Sequence, residues 1–137
     1  MSVVVGYRSN EYGEAALEHG VARANATDDT LIVVNVTKDD GLDAPGFVRG
    51  HELETLRQRL HELVGSKVTI QQPVGTDTAA QILRVAEETS ASLLVIGLRP
   101  RSPVGKFVMG STAQRILLDA TIPVLAVKPG QVPAPVL

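Results

Sequence analysis

Short apolar runs alternate along the chain with longer segments whose apolar residues recur at helical spacing. The runs lie at residues 3–6, 31–36, 67–71, 93–97 and 124–128, and each is short enough to predict a β-strand. The four segments between them predict amphipathic helices. Their apolar faces comprise Leu17, Val21 and Ala24; Leu53, Leu56, Leu60 and Leu63; Ile82, Leu83 and Ala86; and Ile116, Leu117 and Ala120.

The resulting order, βαβαβαβαβ, predicts an α/β domain in which helices cover both faces of a parallel sheet. Runs such as VVV, LIVV and LLVI do not alternate with polar residues, as expected for strands buried on both sides. In open sheets of this kind, ligands bind beyond the carboxyl ends of the strands, where the winding direction reverses. The loops after the first and fourth strands are therefore the places to search for function.

Composition narrows the classes of partner and chemistry. The net charge of −2 argues against nucleic-acid binding, and the absence of cysteine excludes disulfides, thiolate metal sites and cysteine catalysis. No apolar run approaches the length of a membrane span, and the N-terminus lacks the pattern of a signal peptide. We therefore expect a soluble, cytoplasmic protein with a domain over residues 1–128 and an exposed, proline-rich tail over residues 129–137.

Common catalytic motifs are missing. The Gly105-Lys106 pair suggests a P-loop, but that motif needs Gly at position 100 and Ser or Thr at 107, where this chain has Pro100 and Phe107. A Gly-x-Gly-x-x-Gly fingerprint does not follow the first strand. We find no convincing general base and no metal-binding acid in the sequence.

The histidines predict no metal site. His19, His51 and His61 all lie in charged helical segments, so we expect them on solvated faces. Ten residues of helix do not place His51 beside His61. Thr76 or Thr78 is predicted to cap the third helix, and Thr78 with Gln81 fits the capping box.

The loop after the fourth strand has the composition of an anion site. Residues 97–115 read GLRPRSPVGKFVMGSTAQR, with bases at Arg99, Arg101 and Lys106 and no acid. Ser111 and Gln114 fit a capping box, which predicts that a helix begins there. The N-terminus of a helix presents free N–H groups and partial positive charge, which favour phosphate.

Small and polar residues at this helix start add to that prediction. Gly110 has no Cβ and lets a ligand approach the backbone, while Ser111 and Thr112 offer hydroxyl groups. Arg99 and Arg101 can neutralise phosphate charge. Each feature alone also has a structural explanation, such as a strand that ends at Gly97, so the prediction depends on their combination.

The same stretch resembles the nucleotide loop of the universal stress protein family, which is Gly-x-x-Gly followed nine residues later by Gly-Ser or Gly-Thr. Here it stands as Gly97-Leu98-Arg99-Pro100, nine residues, and then Gly110-Ser111. The resemblance extends through TAQRILLDATIPVLAVK and also covers VVVG, NEYGEAALEHG and LIVVNV. It implies an open, Rossmann-like, five-stranded parallel sheet with strand order 3-2-1-4-5.

The resemblance also implies a ligand and an assembly. The ligand would be ATP or a related adenine nucleotide, with or without Mg²⁺, and the molecule would act as a stress or signalling module. We expect at most slow ATP hydrolysis. The adenine would lie near Gly6, Tyr7, Arg8 and Val36, and the ribose and phosphates along Gly97, Gly110, Ser111 and Thr112. A homodimer would form through the last strand, at Val124, Leu125, Ala126 and Val127.

Two positions depart from the family pattern. The family's first-loop Asp aligns with Arg8, which could stack on adenine, pair with a phosphate, or stay solvated beside Glu11. The second glycine of the motif is Pro100, which has no N–H to donate. These departures leave open a nucleotide-free dimerisation or adaptor module of the same family. A related nucleotidyl transferase is a weaker alternative, because the first loop lacks a histidine pair.

Overall fold

A computed structural model describes residues 1–38, 45–99 and 109–133. This part of the chain forms five strands and four helices in strict alternation. The strands are β1 (Ser2–Gly6), β2 (Thr30–Val34), β3 (Val68–Gln71), β4 (Ala91–Gly97) and β5 (Val124–Val127). The helices are α1 (Glu11–Thr27), α2 (Gly50–Val64), α3 (Thr78–Glu88) and α4 (Ser111–Asp119).

The strands form one parallel sheet in the order β3-β2-β1-β4-β5, which confirms the predicted fold. β1 lies at the centre, and its two neighbours, β2 and β4, are reached by crossovers in opposite directions. The winding therefore reverses between β1 and β4. The carboxyl ends of these two strands, Gly6 and Gly97, mark the predicted ligand position.

The central strands are buried on both faces, which explains their unbroken apolar runs. Val3 and Val5 pack in a core cluster with α1 and α2, whereas Val4 packs in a second cluster with α3 and α4. All three side chains are fully buried. Burying one such side chain contributes about 1.5–3 kcal/mol to the stability of the fold. Both faces of the central sheet are therefore apolar, and each packs against a layer of helices.

Several helix details differ from the predictions. In α2, Leu63 is 50% exposed, and Val64 packs against the core in its place. In α4, Leu117 is exposed, and Ala120 is the C-cap residue and lies outside the helix. The predicted cap of α3 is also wrong, because Asp77 caps it by accepting from the N–H of Ala80 at 3.1 Å. A carboxylate is a better N-cap acceptor than a threonine hydroxyl.

The prediction for His19 is wrong, while those for His51 and His61 are confirmed, since both are exposed. His19 is only 8% exposed, and its Nε2 donates to the carbonyl of Gln131 at 3.0 Å. Residues 128–131 form a turn beside α1 and cover this side chain, which the spacing within α1 could not reveal. Within the residues described, no helix is long and apolar enough to cross a membrane.

Candidate functional site

A crevice of about 290 Å³ opens at the carboxyl ends of β1 and β4. It lies at the point where the winding of the sheet reverses, and its volume is near the lower end of the range for small-molecule sites. The walls come from the loop after β1, the end of β2, the start of α3 and the start of α4. Of the residues predicted for the site, Gly6, Tyr7, Arg8, Val36, Gly97, Arg99, Gly110, Ser111 and Thr112 line it.

One wall of the crevice is apolar. It comprises the side chains of Val34, Val36, Ile82, Ile96 and Ile116, of which only Val36 had been predicted as a site residue. Gly6 lies against this wall, because a Cβ there would meet the Cδ1 atom of Ile82 at 3.1 Å. This surface can cover a planar, apolar group such as a nucleobase.

The start of α4 forms the polar end of the crevice. The prediction that Ser111 caps this helix is wrong: Gly110 is the N-cap residue, and α4 has no side-chain cap. The first intrahelical bond joins the N–H of Gln114 to the carbonyl of Gly110 at 2.9 Å. The N–H groups of Ser111, Thr112 and Ala113 therefore have no partner inside the helix. Such groups, together with the helix dipole, form a binding site for an anion.

Gly110 leaves this helix start open. A Cβ built on Gly110 would meet nothing within 4 Å in the described structure. Gly97 differs, because its Cβ would lie 2.3 Å from the carbonyl oxygen of Tyr12. Gly97 therefore has a structural function: it lets the first turn of α1 pack against the end of β4.

Two arginines give the crevice its charge. Arg8 is half-buried, and its Nη1 donates to the carbonyl of Pro45 at 2.9 Å. Arg99 is exposed, and its guanidinium lies 5.7 Å from the centre of the Tyr12 ring, within the range of a cation–π contact. Burial, and then the neighbouring charge of Arg99, lower the pKa of Arg8. None of the described lining residues is Asp or Glu.

Tyr7 contributes less to the crevice than predicted. Its ring packs in the α1/α2 core cluster, and its hydroxyl donates to Oε2 of Glu14 at 2.5 Å. Burial and the Glu14 carboxylate raise the pKa of this phenol. Glu14 also pairs with Arg59 at 2.9 Å. The tyrosine hydroxyl is therefore engaged on the other side of the sheet.

Sequence reasoning missed the residue that holds the wall next to Arg8. Asn35 is fully buried, and its amide donates to the carbonyls of Tyr7 and Gly46 at 2.9 and 3.1 Å. Its Oδ1 accepts from the N–H of Val48 at 2.9 Å. Asn35 thus ties the end of β1 to the segment that carries Pro45. The signal was present as the one polar residue in LIVVNV.

Other contributors to the crevice are residues that the loop motif does not include. Asn10 lines the crevice and caps α1 by accepting from the N–H of Gly13 at 2.9 Å. Tyr12 and Thr78 also line it. Three residues of the predicted loop, Pro100, Arg101 and Lys106, lie outside the described residues.

The sequence model of the universal stress protein family matches residues 1–128. The chain belongs to this family. A universal stress protein of Mycolicibacterium smegmatis is 43% identical over 127 residues, which cover 93% of this chain and 97% of the relative. A universal stress protein of Mycobacterium tuberculosis is 27% identical, but this chain spans only 47% of its length.

Solved structures of universal stress proteins share the fold. One from Archaeoglobus fulgidus superposes with a TM-score of 0.73 at 25% identity, covering 92% of this chain and 97% of its own. A universal stress protein in complex with cAMP gives 0.70 at 20% identity, covering 95% of this chain and 98% of its own. Another from Archaeoglobus fulgidus, in complex with dAMP, gives 0.60 at 19% identity, with 92% and 96% covered.

Proposed function

We propose that this universal stress protein binds an adenine nucleotide, of the ATP type, in the crevice between β1 and β4 and acts as a stress or signalling module in the cytoplasm. One observation carries the proposal: an apolar wall, the uncapped start of α4 and two arginines line the same crevice. An apolar surface beside a phosphate-binding helix start suits a nucleotide. The complexes of two structural neighbours with cAMP and dAMP support the choice of adenine.

In this proposal, the adenine lies against the apolar wall, next to Gly6, Arg8 and Val36. The ribose and phosphates extend past Gly97 to the free N–H groups of Ser111 and Thr112. Gly110 leaves the space that a phosphate needs to approach the backbone, since none of the residues that the structure describes lies within 4 Å of its Cβ position.

We propose binding rather than catalysis as the main activity. The described residues contain no group of three His, Asp or Glu side chains that could hold a metal ion. A Mg²⁺ ion carried in with the nucleotide would therefore be held by phosphate oxygens and water. The crevice also presents no carboxylate or histidine, among its described residues, that could serve as a general base.

We also propose that the protein forms a homodimer through β5. In the described structure β5 pairs with β4 alone, so its other edge is open. The carbonyl of Pro123 accepts from Leu94 in β4, and that of Val127 accepts from Leu98 directly after β4. The backbone groups of Val124 and Ala126 therefore point outward. Pairing of two such edges across a twofold axis would satisfy these groups.

Light scattering at micromolar concentration tests this assembly. We expect the mass of a dimer for the unaltered protein and the mass of a monomer for Ala126→Pro, because proline removes an outward N–H group from the edge. A monomer mass for the unaltered protein would contradict the proposal.

A nucleotide-free adaptor is the second candidate. Arg8 replaces the family's acid at the crevice, and its side chain already donates to Pro45. If Arg8 serves only to hold the carbonyl of Pro45, the crevice would bind no nucleotide. The dimer itself would then be the functional unit. The adaptor predicts no thermal shift in saturating ATP and Mg²⁺.

The variant Gly110→Val separates the two candidates. Valine fills the space at the start of α4, so the thermal shift induced by ATP should disappear while the melting temperature without nucleotide moves little. Ala26→Val, on the exposed surface of α1, is the matched control and should keep the full shift. An unchanged affinity for ATP in folded Gly110→Val would contradict the proposed position of the phosphates.

A further inference from the structure

The two arginines of the crevice differ from other arginines of this protein. Elsewhere, Arg57, Arg59, Arg84 and Arg115 each pair with a carboxylate. In the part of the chain that the structure describes, neither Arg8 nor Arg99 pairs with an acid, although both line one crevice. Two positive charges that have no acidic partner among the described residues therefore line the candidate ligand site.

The proximity of the two positive charges of Arg8 and Arg99 costs electrostatic free energy. Arg8 is half-buried, and its pKa is lowered by burial and by the charge of Arg99. A guanidinium does not give up its proton at physiological pH, so an anion bound between the two side chains would relieve this cost. Opposite charge brought in by a ligand would compensate both side chains at once.

The geometry leaves donors free for such a ligand. A guanidinium has five N–H donors, and the described structure uses one contact of Arg8, the bond from Nη1 to Pro45. The stem of Arg8 packs over Gly46, where an added Cβ would lie 3.0 Å from the arginine Cβ. Arg99 is held over Tyr12. Both side chains are therefore positioned before a ligand arrives.

We infer that Arg8 and Arg99 make the crevice selective for charge, so that it prefers nucleotide polyphosphates over nucleosides and over nucleotides with a single phosphate. This inference rests on the proposed function and names the ligand class of the same site. The start of α4 binds one phosphate group, and the arginines bind the additional negative charge. Arg8, because it is half-buried, has the larger share.

Calorimetric titration of the full chain with adenosine, AMP, ADP and ATP tests the inference. The variants are Arg8→Gln and Arg99→Gln; glutamine at position 8 retains an N–H donor for Pro45 but no charge. Arg57→Gln, on the surface of α2, is the control because it makes the same change in net charge outside the crevice. Circular dichroism and thermal melting establish that each variant is folded.

We expect Arg8→Gln to lower the affinity for ATP by about ten- to a hundredfold, which is the range for losing a charge-assisted hydrogen bond. The loss should shrink from ATP to AMP, vanish for adenosine, and decrease as salt rises. Arg99→Gln should show the same order with smaller losses, since Arg99 is exposed. Equal losses for ATP and adenosine, a loss of the same size in Arg57→Gln, or no loss in Arg8→Gln or Arg99→Gln would overturn the inference.

Inorganic tripolyphosphate separates this inference from the proposed function. If tripolyphosphate binds as tightly as ATP, and both weaken in Arg8→Gln, the charge selectivity stands and the adenine site does not. If adenosine and ATP bind alike, and Arg8→Gln changes neither, the adenine site stands and the charge selectivity is wrong. If none of the compounds binds, both proposals fail.

Discussion

The two polar walls of the crevice are built in opposite ways. The wall after β1 is tied down: Arg8 donates to Pro45, the N–H of Ser9 donates to Gly46 at 2.9 Å, and Asn10 caps α1. Among the described residues, the wall at the start of α4 has no side-chain cap, and nothing lies within 4 Å of the Cβ position of Gly110. The first wall holds the Arg8 side chain and its own backbone in place, whereas the second has three N–H groups without a partner inside the helix. We therefore expect phosphate binding to depend on the start of α4, and selectivity for charge to depend on the wall that is held in place.

The variants Gly13→Ala and Gly110→Ala test this contrast, and the first should change the free energy of unfolding most. At Gly13, in the wall after β1, an added Cβ would lie 1.8 Å from the carbonyl oxygen of Arg8. Gly13→Ala should therefore lower the free energy of unfolding by about 3 kcal/mol, the upper range for overpacking. At Gly110 an added Cβ would meet no described residue within 4 Å, so Gly110→Ala should cost less than about 1 kcal/mol through the helix cap.

Chemical denaturation of both variants measures these values. If Gly13→Ala and Gly110→Ala lost similar amounts of unfolding free energy, the two walls would be equally constrained. That result would contradict the difference that their contacts indicate.

A smaller effect concerns the ion pair that braces α4. Arg115 of α4 pairs with Asp77, the N-cap residue of α3. The Arg115 hydrogen bond, followed by the bond from the N–H of Ala80, lowers the pKa of Asp77 from 3.8. A lowered pKa in the folded state adds stability above pH 3.8, and this contribution is lost as pH falls through the folded pKa.

Asp77→Asn, which keeps a capping oxygen, should therefore be less stable than the unaltered protein at about pH 7, and the difference should shrink as pH falls below 3.8. Because both partners are exposed, high salt should reduce the difference as well. Urea denaturation at several pH values measures it. A difference that stays constant with pH would show that the Asp77 charge does not contribute.

The fold was predictable from the sequence because the pattern of apolar residues along the strands matches the pattern of burial in the structure. Unbroken runs such as LLVI predicted strands covered on both sides, and the structure buries Leu94 and Val95 completely. The helix ends were not predictable in the same way. Ser111 and Gln114 fit a capping box, yet the chain becomes helical at Ser111, so its hydroxyl cannot act as the cap.

The candidate site was predictable in position but less so in its parts. The loop motif indicated Gly97 and Gly110, but the first packs against Tyr12 and only the second is open to a ligand. Spacing within a helix could not show that residues after β5 cover His19. The function of Asn35 depends on contacts between three distant segments, which no local pattern contains.

Chemical-shift mapping by nuclear magnetic resonance during a titration with ATP tests directly whether a nucleotide binds in the crevice, because it reports which residues the nucleotide affects. We expect the backbone amide signals of Ser111, Thr112 and Ala113 to move most, with smaller changes at Gly6 and Arg8. The amides along the exposed face of α2 should stay in place. Saturating ATP that leaves the start of α4 unchanged, or that moves only signals of α2, would contradict a nucleotide site in the crevice.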